Sequence, residues 1–116
     1  MRQRSACGAL AIALLLPQVS LSAGVSVWGA GNESCGRWAA VRNSDAHEAM
    51  KHWILGFLSG SNWRAQNQQA IPPDADAVFA FVDKYCRNNP LHSLVLAGAA
   101  LIEESGGPKA AHRWDR

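Results

Sequence analysis

Hydrophobic positions along this chain recur at three and four residues, and no stretch alternates in the manner of a strand. The strongest run is Ala46, Met50, Trp53, Ile54, Phe57 and Leu58, which share one side of a helix. Asp45 followed by Glu48 reads as a capping box at its start, and Gly60 as its end. A shorter helix precedes it, capped by Asn32 or Ser34 and running to about Arg42, with Cys35, Trp38, Ala39 and Val41 on one side. A third helix begins at Asp74 or Asp76 and presents Val78, Phe79, Phe81, Val82, Tyr85 and Cys86, of which Phe79, Val82 and Cys86 form one stripe. Asn89 then caps a fourth helix with Pro90 in its first turn. That helix, Leu91 to about Ser105, is apolar nearly all round from Leu94 to Ile102 and should be the central element, stopped by Gly106, Gly107 and Pro108. The pattern predicts an all-α fold, a small orthogonal bundle of about four helices.

Between the second and third helices, Ser61 to Pro73 is polar, rich in amides and closed by two prolines, so it reads as a long loop. Trp63 stands out there, because an aromatic on a polar loop is a common anchor for a partner protein, and Arg64 and Asn67 are its polar neighbours. Residues 24–32 form a glycine-rich, flexible lead-in, and residues 106–116 form a polar tail that should be loose apart from Trp114.

The remaining segment, residues 1–23, has the order of a signal peptide. Met1, Arg2 and Arg4 precede the apolar run Ala6 to Leu16, then Pro17 breaks it and Ser20, Ser22 and Ala23 supply small residues. A membrane helix needs about 20 apolar residues, roughly twice that run. Cys7 lies inside the run and not after it, so a lipid-anchored product is not expected. The mature chain should be periplasmic or secreted and not membrane-embedded, with its helical domain at residues 33–105.

Export changes the reading of charge and cysteine. Without Arg2 and Arg4 the chain carries nine basic and nine acidic residues, which offers no electrostatic footprint for nucleic acid. Without Cys7 it carries two cysteines, Cys35 and Cys86, in an oxidising compartment, where one disulfide between them is the expected pairing. The bundle is therefore expected to be stapled by that disulfide.

Catalytic patterns find little to match. In His47-Glu48-Ala49-Met50-Lys51-His52 the histidines are five apart, which turns them by about 140° around a helix, so they cannot share one metal ion and read as solvated helix-face residues. Glu103 and Glu104 are adjacent and diverge. Gly56-Phe57-Leu58-Ser59-Gly60 lacks the spacing of a hydrolase nucleophile elbow, and its two glycines are better explained by close approach of another helix. No catalytic residue, metal-ligand set or cofactor site is predicted, and a protein partner or client is the expected ligand.

A cysteine-bearing helix, the run Trp53-Ile54-Leu55-Gly56-Phe57-Leu58-Ser59-Gly60, a polar loop, and Tyr85-Cys86-Arg87-Asn88-Asn89-Pro90 ahead of an alanine-rich helix follow one another. This order resembles two small periplasmic families over about Glu33 to Glu104. One is the HdeA/HdeB acid-stress chaperones, and the other is the Rap/Tai immunity proteins of type VI secretion. The second usually carries a further cysteine near the place of Trp53, and the first lacks the Gly-Gly-Pro-Lys segment at Gly106 to Lys109. The resemblance implies a helical, disulfide-bonded, non-enzymatic protein. It would act as an immunity or inhibitor protein, as an acid-activated chaperone, or as an accessory envelope protein. For the chaperone, protonating nine carboxylates and four histidines would take the neutral mature chain toward +13, loosening it by self-repulsion.

Overall fold

Short polar side chains start three of the four helices. Ser34 accepts from the Arg37 amide and opens α1, Cys35–Ala40. Ser44 accepts from the His47 amide and opens α2, Asp45–Arg64. Asp74 accepts from the Ala77 amide and opens α3, Ala75–Asn88. Each satisfies one of the amides that a helix start leaves without an internal partner. The last helix, α4, Leu94–Glu104, has Ser93 ahead of it with no side-chain cap. Its Leu94 amide donates to the Glu33 carbonyl at 2.8 Å, and the Cys35 amide donates to the His92 carbonyl at 2.8 Å. The starts of α1 and α4 thus satisfy one another.

The structure is a computed structural model that describes residues 25–109, all helix, turn or loop with no strand among them. Residues 1–24, which hold the segment read as a signal peptide, and residues 110–116, with Trp114, lie outside the described residues.

Three helix ends differ from the periodicity. The cap of α2 is Ser44, and Asp45 and Glu48 lie in its first turn, where carboxylates suit the helix dipole. At its other end α2 continues past Gly60 to Arg64. An interior glycine costs about 1 kcal/mol relative to alanine. Here the last turn is held by the Ala65 amide on the Ser61 carbonyl and by the Asn62 side chain, which grips the backbone of Ala70. The start of α4 is Leu94 and not Leu91, because the amide pairing with Glu33 is available only there. Residues Asn89 to His92 instead make a turn, in which the Asn89 side chain donates to the Tyr85 carbonyl and the Tyr85 hydroxyl meets His92 Nδ1 at 2.6 Å.

The core is built where these helices meet. Trp38, Met50, Ile54, Val78, Val82 and Leu94 are fully buried. The buried line of α3 is Val78, Val82 and Cys86; Phe79 is half-buried with the Lys51 ammonium 5.1 Å above its ring. As the run of apolar residues predicts, α4 is central, with Leu94, Val95, Ala97, Gly98, Leu101 and Ile102 buried. Gly98 is where α2 comes closest, since a Cβ there would stand 2.7 Å from the Phe57 ring. The close approach expected at Gly56 and Gly60 is not made. A Cβ at either would meet nothing within 4 Å, and both face outward.

Cys35 and Cys86 form the expected disulfide, which ties α1 to α3 across 51 residues. In the chain-entropy account a loop of that size is worth about 4 kcal/mol. The two ends of the described chain are also engaged. Gly29–Asn32 is a 3-10 turn with Gly31 buried beneath Trp53, whose indole N–H donates to the Trp28 carbonyl at 2.7 Å. The Trp28 indole itself stays outside the core, 84% exposed. At the other end Gly106 takes φ +96°, and the Gly106 and Gly107 amides donate to the carbonyls of Glu103 and Ile102. This is a Schellman termination, and its left-handed residue is best occupied by glycine. The first part of the segment read as a loose tail is therefore packed, with Gly107 buried.

Candidate protein-binding site

The extra turn of α2 decides where Trp63 and Arg64 stand. Both lie in the last turn of a helix and not in a loop, and only Asn67 of the three remains on the connecting segment. The Trp63 indole is 81% exposed. Arg64 and Asn67 are exposed and make no hydrogen bond or ion pair to the described residues. The three therefore share one end of the molecule without touching each other through polar contacts.

The connecting segment is fastened close to this end. Asn62 Nδ2 donates to the Ala70 carbonyl and the Ala70 amide donates to Asn62 Oδ1, each at 2.8 Å, and Ala70 is buried. The Ile71 amide adds a bond to the Ser105 carbonyl at 3.1 Å. Trp63 and Ile71 are the chain neighbours of the two clamped residues, so the clamp carries both to the same region. Ile71 is 77% exposed. The sequence reading does not include Ile71, and its signal there is a lone aliphatic residue ahead of two prolines in a polar segment.

Beside α2 runs a groove of about 540 Å³ between α2 and α4, lined by Gly56, Phe57, Gly60, Val95, Ala99 and Ile102 among others. Its floor is open because the two glycines carry no side chain.

A second cluster lies where α1 meets α2 and α3. Asp83 accepts from the Trp38 indole N–H at 2.7 Å and from two Arg42 nitrogens at 2.6 and 3.2 Å. Partial burial works to raise the Asp83 carboxyl, but the hydrogen bonds from Arg42 and Trp38 and the Arg42 charge outweigh it and hold the group below the ordinary carboxylate range. His47 is buried, 7% exposed, and stands edge-on to Trp38 with ring centroids 4.4 Å apart. It is not the solvated residue that its polar neighbours implied. Its Nε2 has no hydrogen-bond partner among the described residues. Burial first, then the charges of Arg42 and Lys51, push the His47 pKa below its ordinary value, against the opposing charges of Asp83 and Glu48. His52, on the same helix, is exposed.

Among the described residues no three His, Cys, Asp or Glu side chains converge as a metal-binding group. Both described cysteines are used in the disulfide, and no described helix is long and apolar enough to cross a membrane. Comparison with protein-family models, with curated proteins and with solved structures gives no match.

Proposed function

We propose that this chain is an exported, non-enzymatic domain that binds another protein through the end of α2. The observation that carries the reading is the pairing of two exposed apolar side chains, Trp63 and Ile71, on backbone that the Asn62–Ala70 clamp holds rigid. Large aromatic anchors on a pre-ordered frame lose little entropy on binding and dominate interface energies. Arg64 and Asn67 supply a polar rim. The disulfide suits an oxidising compartment, and the order of basic start, apolar run and small residues supports export. The resemblance to the Rap/Tai immunity proteins makes an immunity or inhibitor role the particular form of this proposal.

The test is capture from an envelope fraction at neutral pH by the oxidised chain from residue 24 onward, side by side with Trp63→Ala, Ile71→Ala and Leu91→Ala. Leu91 is 95% exposed but sits in the α3–α4 turn, away from the clamp. A stoichiometric partner kept by Leu91→Ala and lost by the other two is the expected result. A partner retained equally by all three, or none retained by the parent, counts against the reading.

One observation favours a second reading, the acid-activated chaperone. The junction of α1 with α2 and α3 rests on a neutral buried His47 and an ionised Asp83, and acid acts against both. Suppression of a client's aggregation near pH 3 but not at neutral pH would favour it over the first. An accessory envelope protein with no discrete binding activity is the remaining form, and it predicts neither result.

A further inference from the structure

Two features of α2 are each incomplete within one chain. One is the exposed Trp63 indole. The other is the groove beside Gly56 and Gly60, which no side chain among the described residues fills. At about 100° per residue, Gly56, Gly60 and Trp63 fall within roughly 60° of arc on a single face of α2. We propose that two copies of the chain pair through this face, α2 against α2 in antiparallel sense, with Trp63 of each copy seated in the groove of the other.

Two-fold pairing requires a surface that is its own complement, and a projection and a recess on the same helix meet that requirement. If the axis crosses between Ser59 and Gly60, Trp63 stands opposite Gly56 of the second copy, about 10 Å along the helix from its own Gly56. Glycine at 56 and 60 lets the two backbones approach, and Phe57, Val95, Ala99 and Ile102 give the indole apolar walls. Between His52 and Trp63 that face, widened to about 100° of arc, carries His52, Gly56, Ser59, Gly60 and Trp63, with no Lys, Arg, Asp or Glu near the axis to repel its own image; Asp45 shares the face but lies about 20 Å along the helix from the axis. Lys109 is the one charged side chain that lines the groove.

Area sets the strength. A tryptophan buries about 150–250 Å², so two of them with the walls they cover amount to about 600–1,000 Å², below the roughly 1,200 Å² at which stable interfaces begin. Pairing is therefore weak and concentration-dependent. It needs no second protein and goes beyond the partner-binding reading, although it would occupy the same Trp63.

Sedimentation velocity of the oxidised chain from residue 24 onward, at neutral pH from micromolar to millimolar concentration, reads the proposal directly. The expected result is a reversible monomer–dimer equilibrium that Trp63→Ala weakens at least tenfold. Gly56→Leu should weaken it similarly by filling the recess, while its better helix propensity keeps the chain folded. The decisive sample is an equimolar mixture of the two variants. Trp63 of the Gly56→Leu copy still finds an open groove on the Trp63→Ala copy, so the mixture should associate more tightly than either variant alone. A chain that is monomeric throughout overturns the proposal and leaves the groove to another occupant, either residues 110–116 or an apolar ligand. So does a dimer that neither substitution affects, or a mixture no tighter than its components. Partner capture that survives while no dimer forms would leave the proposed function standing and remove only this inference.

Discussion

Replacing His47 with leucine isolates the contribution of one buried imidazole to acid sensitivity. In the folded chain His47 is 7% exposed, its Nε2 has no partner, and its pKa lies below the ordinary value of 6.5. The unfolded chain titrates at the ordinary value, so between the two values it binds more protons than the native state. Stability contributed by the neutral ring is complete above pH 6.5 and is lost as pH falls below it, toward the lowered folded value. One proton gives a slope of at most about 1.4 kcal/mol per pH unit, which bounds the loss accumulated between pH 6.5 and about 5.5. Leucine has nothing to titrate. Its packing against Trp38 changes stability by a constant that does not vary with pH, and His52 and His92 are common to both proteins. The difference between parent and variant in urea unfolding free energy, followed from pH 7.5 to 5.5, therefore reports His47 alone. The variant should gain on the parent steadily as pH falls. A difference that stays flat across that range would refute the account, because it would mean that the ring is not held neutral by the fold.

Three further outcomes are expected. Asp83→Asn removes the paired Arg42 contact and should cost about 1–2 kcal/mol at neutral pH, a loss that fades in acid as the parent's own carboxylate protonates below the ordinary range; thermal melts at neutral pH and near pH 3 compare the two. Reduction of Cys35–Cys86 should lower unfolding free energy by about 4 kcal/mol, read by urea titration with and without reductant. Glycine to alanine should act in opposite directions at two sites. At Gly60, with open space around it, the helix gains about 1 kcal/mol, whereas at Gly98 the added carbon meets Phe57 and the net cost is about 1–3 kcal/mol by the same assay.

Helical periodicity was enough to locate the core of each helix, because the apolar stripes of α2, α3 and α4 are the surfaces that bury. What it could not locate were ends decided by distant chain. Leu94 starts α4 because Glu33 supplies its acceptor, and α2 outruns Gly60 because Asn62 reaches Ala70. Neither partner is visible in a local window. His47 misled for a related reason. Its neighbours Glu48 and Lys51 are polar, yet the 3.6-residue turn places it in line with Met50 and Ile54, facing Trp38. The glycines misled in the opposite direction, since Gly56 and Gly60 announce a close contact that the single chain does not make. Trp63 was legible as an exposed aromatic, but its rigid helical setting and its neighbour Ile71 depended on the clamp.

The mutual pairing of the α1 and α4 starts bears on how the chain folds. Glu33 and Cys35 can satisfy Leu94 and His92 only after the intervening chain has closed on itself. In the reduced chain that closure spans about sixty residues. Once Cys35 and Cys86 are joined, only about six residues separate the tether from the pairing site, and the closure entropy falls by about 2 kcal/mol. Because loop entropy is lost before native contacts repay it, this saving accrues to the folding rate. A chain oxidised early would then refold quickly after each transient opening, while a reduced chain would search for its last helix contact alone.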